Sequence, residues 1–380
     1  MDTAKKGAKN MKNRGSREKR SDSIQELVLP PGFSPNVRKD GENGHLAQTQ
    51  DVLASESFQY YDAGCDCTAT IEYLRSGRGK NKLSLKAATS EYQNAIGEAT
   101  SSSNYGGCLS RSYLKKDRPF KEHEASPLLL NENDNIWFVV GLDNEFLCNE
   151  VENEIASHAL IFLVDLVCNN DRIVGVFADL DYSSGTLGRA GCDRASQIQR
   201  LCCTCQAASR SCVPVQIRTS SAPNTTTEKQ EGASTVTSSY LEEINDLIEV
   251  LSEITMLHPA LRIHLSCWSG RADDMHKILK IFPENVWVGM DATVTFAKAK
   301  NAHESAFDVP TTKLLLETGS PRTIPSDVAR TLGRMAFCHS GHVPHVAAAL
   351  ANLKRSVSWL TAEDVARAAS NNTVILYELR

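Results

Sequence analysis

No apolar run in the sequence is long enough to cross a bilayer. The longest, near Ala156 to Val167, contains His158 and Asp165 and falls short of the ~20 residues a spanning helix needs. The N-terminus lacks the apolar core of a secretory leader, so the expected location is inside the cell, cytoplasmic with a nuclear alternative, and no membrane partner is expected. No Gly-rich phosphate fingerprint follows any apolar segment, which argues against dinucleotide and P-loop chemistry. Positive charge is not in excess either: a net charge of -5 over 380 residues argues against wholesale nucleic-acid binding. Large apolar side chains are almost missing from the first twenty residues, where Lys5, Lys6, Lys9, Lys12, Arg14, Arg17, Lys19 and Arg20 face only Asp2 and Glu18. Such a segment cannot offset its ordering entropy and reads as a solvated tail, with an import signal or a polyanion anchor as the functional alternative.

What is present is a globular composition, 41% hydrophobic and 23% charged. Residues 1–56 read as a disordered basic leader and 57–380 as one domain, interrupted by low-complexity insertions at about 89–127 and 219–239. The twelve cysteines are expected as free thiols packed like small hydrophobes. Cys202, Cys203, Cys205 and Cys212 match no common zinc spacing and fit a Cys-rich helix face over about 194–209 better.

Short apolar segments recur with helical ones between them: FQYYDAGCD from Phe58, then Ile136–Leu142, Arg172–Leu180, Val213–Ile217, Leu261–Trp268, Asn285–Met290 and Lys313–Glu317. Most are apolar on both faces, as buried parallel strands are. Leu241, Ile244, Leu247, Ile248, Leu251 and Ile254 repeat with a helical period opposite Glu242, Glu243, Asp246 and Glu253. Thr361 with Asp364 predicts an N-capped final helix through Ala369. The expected class is α/β. Seven readable strands, with room for an eighth in the polar region, suggest a (β/α)8 TIM-type barrel, and an open doubly wound sheet is the alternative.

At the strand ends several motifs occur in a shared order: GLDN at Gly141, LDY at Leu180, CWSG at Cys267, TFAKAK at Thr295, LLLETGSP at Leu314 and NTVILYEL at Asn372. Together they resemble the TatD family of metal-dependent deoxyribonucleases, an amidohydrolase-like barrel family, from Tyr61 to the end of the chain apart from the Ser-rich insertions. The resemblance implies one or two divalent cations, Mg or Zn, that activate water against a phosphodiester, with an aspartate at the last strand taking a proton. It also places the family's ligand and proton-acceptor positions on Gly64, Asp66, Phe177, Arg218, Ser266 and Gly319. Of these only Asp66 is an anionic ligand, and Arg218 brings a fixed positive charge.

No catalytic or metal-binding residue in the family's manner is therefore expected. A residual pocket is expected from Asp62, Asp66, Asp179, Arg218, His264, Trp268 and Glu317, with Arg218 in the former metal centre paired to Asp66 or Asp62. That pair is either part of an anion or ligand pocket or a charge plug. A relocated metal site would draw on Asp62, Asp66, Cys65, Cys67 and His264, but strand alternation turns the two cysteines away, toward the flanking helices. Asp181 and Tyr182 are expected in structural loop bonds. The leading function is a catalytically impaired pseudoenzyme that binds a protein, a nucleic acid or a small anion and needs no cofactor. One alternative is an active nuclease using Asp66, Asp179, His264 and Glu317 with a divalent cation; another is an interaction platform whose Ser/Thr-rich loops are phosphorylated.

Overall fold

The computed structural model describes residues 59–76, 83–101, 104–114, 135–142, 153–182, 193–222, 233–333 and 337–379. The basic leader and, of the two Ser/Thr-rich loops, residues 102–103, 115–127 and 223–232 lie outside these residues. Within them, eight strands pair in chain order, every neighbouring pair parallel: β1 (Tyr60–Cys65), β2 (Tyr105–Leu114), β3 (Ile136–Leu142), β4 (Ile173–Leu180), β5 (Val215–Thr219), β6 (Ile263–Ser266), β7 (Val286–Met290) and β8 (Leu314–Leu316). The seam between β1 and β8 is bridged by single bonds. Thr318 N–H donates to Asp62 Oδ1 at 2.9 Å, Gly319 N–H to Gly64 O and Asp66 N–H to Ser320 O, both at 3.1 Å. The fold is a (β/α)8 barrel. No helix among the described residues is long and apolar enough to cross a membrane.

Strand faces divide the core into two layers. Outward residues such as Ile263, Leu265, Val286, Val288, Leu314 and Leu316 are buried under the helices, each stabilising by roughly 1.5–3 kcal/mol. Inward residues Ala63, Leu109, Val139, Phe177 and Leu315 form a second cluster with Leu376, Tyr377 and Leu379. The C-terminal segment thus fills the barrel from the end where the strands start, leaving chemistry to the opposite rim.

Three expectations change. The polar region 89–127 holds most of a helix, α2 (Leu85–Ser101), and all of β2. The long helix α5 (Ala233–Leu257) begins inside the second expected insertion, and its acids are not all solvated. Leu241 is exposed on it, whereas Glu243 is buried and accepts from Ser220 N–H, Ser220 Oγ and Tyr182 N–H at 2.7–2.8 Å. Asp246, also buried, takes Tyr182 Oη and both Arg194 Nε and Nη2. These carboxylates tie the β4 and β5 loops to the helix layer. The final helix, α10 (Ala362–Tyr377), opens with a reciprocal Thr361–Asp364 capping box and runs two turns past Ala369, because Thr373, Leu376 and Tyr377 continue its buried face.

Candidate functional site

A pocket of about 480 Å³ opens at the carboxyl ends of the strands, lined by Asp66, Arg111, Tyr113, Asp181, Arg218, Cys267, Asp291 and Gly319 among others. Its floor is a buried network centred on Glu317. Glu317 Oε1 stands 2.5 Å from His264 Nε2, and Oε2 accepts from Ser266 Oγ at 2.8 Å, Cys267 Sγ at 2.8 Å and Cys267 N–H at 3.1 Å. His264 Nδ1 lies 2.7 Å from Tyr377 Oη and 3.2 Å from Gln216 Nε2. Burial alone would raise the Glu317 carboxyl, but His264, Arg111 and the Cys267 thiol outweigh it and hold the group at about 2. Glycines make room for this arrangement: a Cβ at Gly64 or at Gly289 would overlap the Glu317 carboxylate.

Arg218 forms an ion pair, with a different acid from the two expected. Its Nε is 2.9 Å from Asp179 Oδ1 and its Nη2 donates to Oδ2 at 2.9 Å, while Tyr113 Oη donates to Oδ2 at 2.6 Å. The partner is a ladder neighbour, since Asp179 and Arg218 are paired across β4 and β5. Asp62 is unavailable: a register shift in β1 precedes Cys65, and its carboxylate takes Gly64 N–H, Thr318 N–H and Thr318 Oγ1 at the seam. Asp66 is half-buried and caps the following helix, α1 (Cys67–Ser76), by accepting from Ala69 N–H at 2.7 Å.

Arg111, projected from β2 among Leu109 and Tyr113, is 4% exposed. Its Nη2 reaches Cys267 Sγ at 3.5 Å and Glu317 Oε2 at 3.9 Å, and its Nε and Nη1 are buried with no hydrogen-bond partner. Asp291, just past β7, accepts from Thr293 N–H and lies within 2.8 Å of where a Cβ at Gly319 would stand. Burial raises both pocket carboxyls, Asp66 and Asp291, to about 6, against the pull of their own backbone donors and of Arg111.

Do these residues fit the divalent centre that the resemblance implies? The first-strand positions offer only Asp66, already committed to a helix cap. Phe177 packs edge-on against Tyr113 with ring centroids 4.7 Å apart, Arg218 is locked to Asp179, and Ser266 donates to Glu317. Gly319 adopts φ +66°, where a side chain is strained, and Asp291 fills the space beside it. Carboxylate and imidazole donors do not converge on one point there, and a guanidinium stands among them. The residues do not fit that centre.

Of the expected pocket residues, the structure brings Asp66 and Arg218 to the pocket wall, with Asp179 behind Arg218 and His264 and Glu317 beneath the floor. It does not bring Asp62 or Trp268 there. Trp268 is buried in the helix layer and donates to Ser305 Oγ at 3.2 Å. Asp181 does line the pocket, and its N–H donates to Gln197 Oε1. Sequence reasoning missed Arg111, Tyr113, Cys267 and Asp291. A period-two reading of Leu109, Arg111 and Tyr113 was the available signal for the first two. The helix α4 (Arg194–Arg210) buries Cys202, Cys203 and Cys205, and Cys212 is exposed beyond its end.

A family model described as TatD related DNase matches residues 83–378. Human 3'-5' RNA nuclease TATDN2 is 30% identical over 138 residues, 36% of this chain but only 17% of that protein, so the chain corresponds to a small part of its relative. Among solved structures, the TatD homologue YJJV from Escherichia coli K12 superposes with a TM-score of 0.57 at 15% identity, covering 84% of this chain and 98% of its own. A TatD-family hydrolase from Entamoeba histolytica gives 0.56 at 13% identity, covering 85% and 99%. A barrel with its pocket at the carboxyl rim and a family match over most of the described residues lead to one assignment: the chain belongs to the TatD-related DNase family.

Proposed function

We propose that this chain is a TatD-type barrel that binds a phosphate-bearing ligand at its strand-end pocket without the family's metal-dependent hydrolysis. The observation that carries this reading is Arg111. A buried guanidinium with two nitrogens lacking a partner is costly, and an oxyanion entering the pocket beside it would supply the missing acceptors. Arg322 lines the same pocket, as does Arg218 with its charge offset by Asp179. The replaced ligand positions support the loss of hydrolysis, and the nuclease relative makes a single-stranded oligonucleotide a sensible first probe.

The test pairs binding with turnover. A labelled single-stranded RNA or DNA should bind, Arg111→Met should weaken it about 10- to 100-fold, the loss of one or two charge-assisted bonds, and no cleavage should appear with Mg, Mn or Zn ions. Multiple-turnover cleavage that disappears in Asp291→Asn would overturn the proposal. It would favour a second reading, an active hydrolase in which Asp291 supplies a carboxylate at the rim beside position 319, with Asp66 opposite.

A further inference from the structure

Outside the pocket, β1, β2 and α1 bring three thiols together. Cys65 ends β1, Cys67 opens α1 and Cys108 lies in β2, and none of the three is exposed. Cys65 and Cys67 are two residues apart and face the helix layer, and β2 sets Cys108 opposite Asp62. The Cys65 and Cys67 sulfurs stand 3.7 Å apart, those of Cys67 and Cys108 3.8 Å, and all three Sγ atoms lie within 4.8 Å of one another. Sulfurs at tetrahedral corners ~2.3 Å from a zinc ion are separated by about 3.8 Å. A phenol completes the surroundings, with Tyr92 Oη 2.9 Å from Cys67 Sγ. Thiols are weak donors and weak acceptors, so mutual S–H contacts give little reason to gather three of them with a buried hydroxyl.

We propose that Cys65, Cys67 and Cys108 hold a structural zinc ion, with the Tyr92 hydroxyl facing its fourth position. Thiolate softness selects zinc over magnesium. Loading releases the three thiol protons as three Zn–S bonds form. The site is closed to solvent, as structural rather than catalytic zinc sites are. It would pin the turn between β1 and α1, which carries Asp66, to the strand that carries Arg111 three residues beyond Cys108. This centre is separate from the one whose ligands are lost at the barrel mouth.

The test is elemental analysis of the full chain purified under reducing conditions without chelator. About one zinc per chain is expected, retained in Asp291→Asn and lost in Cys108→Ser. Should Cys108→Ser fail to fold, cobalt-loaded wild type still decides, because three thiolates give an intense near-ultraviolet sulfur-to-cobalt charge-transfer band. Wild type with under a tenth of an equivalent of zinc and no such band would overturn the proposal. So would zinc that survives in Cys108→Ser. Zinc lost in Asp291→Asn but kept in Cys108→Ser would in addition place it at the barrel mouth and overturn the proposed function.

Discussion

Gly319 is the residue at which installing a strand-end acid is most tempting and least promising. Its φ of +66° strains any side chain, and Asp291 Oδ2 is 2.8 Å from the new Cβ, so Gly319→Asp is expected to cost about 1–3 kcal/mol and to restore no cleavage. Chemical denaturation beside a nuclease assay checks both halves. Asp291 itself carries a pH dependence. Burial lifts its carboxyl to about 6, so it is mostly neutral below that pH and becomes an anion beside Arg111 above it. Sulfate, which does not titrate in this range, should bind more weakly as pH rises from 5 to 7, and Asp291→Asn should make that fall shallower, with the remainder due to Asp66, which is also lifted to about 6; calorimetry would read it. Motif order singled out Gly64, Phe177, Arg218, Ser266 and Gly319 as the positions to inspect. Asp291 was not legible, because it comes from the end of a neighbouring strand and only three dimensions place it beside Gly319.

At the scale of elements, β2 explains what sequence patterning misses. Gly106, Gly107, Ser110 and Ser112 give it the composition of a loop, and it becomes a strand because both edges are paired, with β1 and with β3. Tertiary pairing overrides propensity there. The six other strands read from apolar runs, and β1, were legible because barrel strands are buried on both faces. The last helix was legible at its start and not at its end. Thr361 and Asp364 advertise the cap, whereas Asn371 and Asn372 look like a stop; Asn372 instead donates to the Thr311 and Leu314 carbonyls at 2.8 Å and anchors the helix to β8. Thr361→Ala should lower stability by about 1 kcal/mol. Because α10 carries Tyr377 to His264, the same change should loosen amide protection near the barrel floor, readable by hydrogen exchange.

For the whole molecule, the acid limit should be set in part by a histidine pair that does not line the pocket. His339 and His342 are buried with ring centroids 3.9 Å apart, and His345 next to them is paired with Asp327. Burial, and then the charge of neighbouring histidines, lowers them to about 4 and about 3. The unfolded chain takes up these protons near pH 6.5 and the folded chain does not, so the stability present above that pH drains away as pH falls toward 4. Replacing His342 by Phe removes one such proton. Relative to wild type, the variant should gain about 2 kcal/mol between pH 7 and pH 5 in urea titrations, and an unchanged difference would sink the assignment.

The Glu317 carboxylate fills the space that a side chain at position 64 or at position 289 would need. Placing a histidine at position 64 would evict that carboxylate from His264, Ser266 and Cys267. The buried carboxylate network and the two glycines therefore interlock: neither position 64 nor position 289 can acquire a side chain unless Glu317 gives up its partners first.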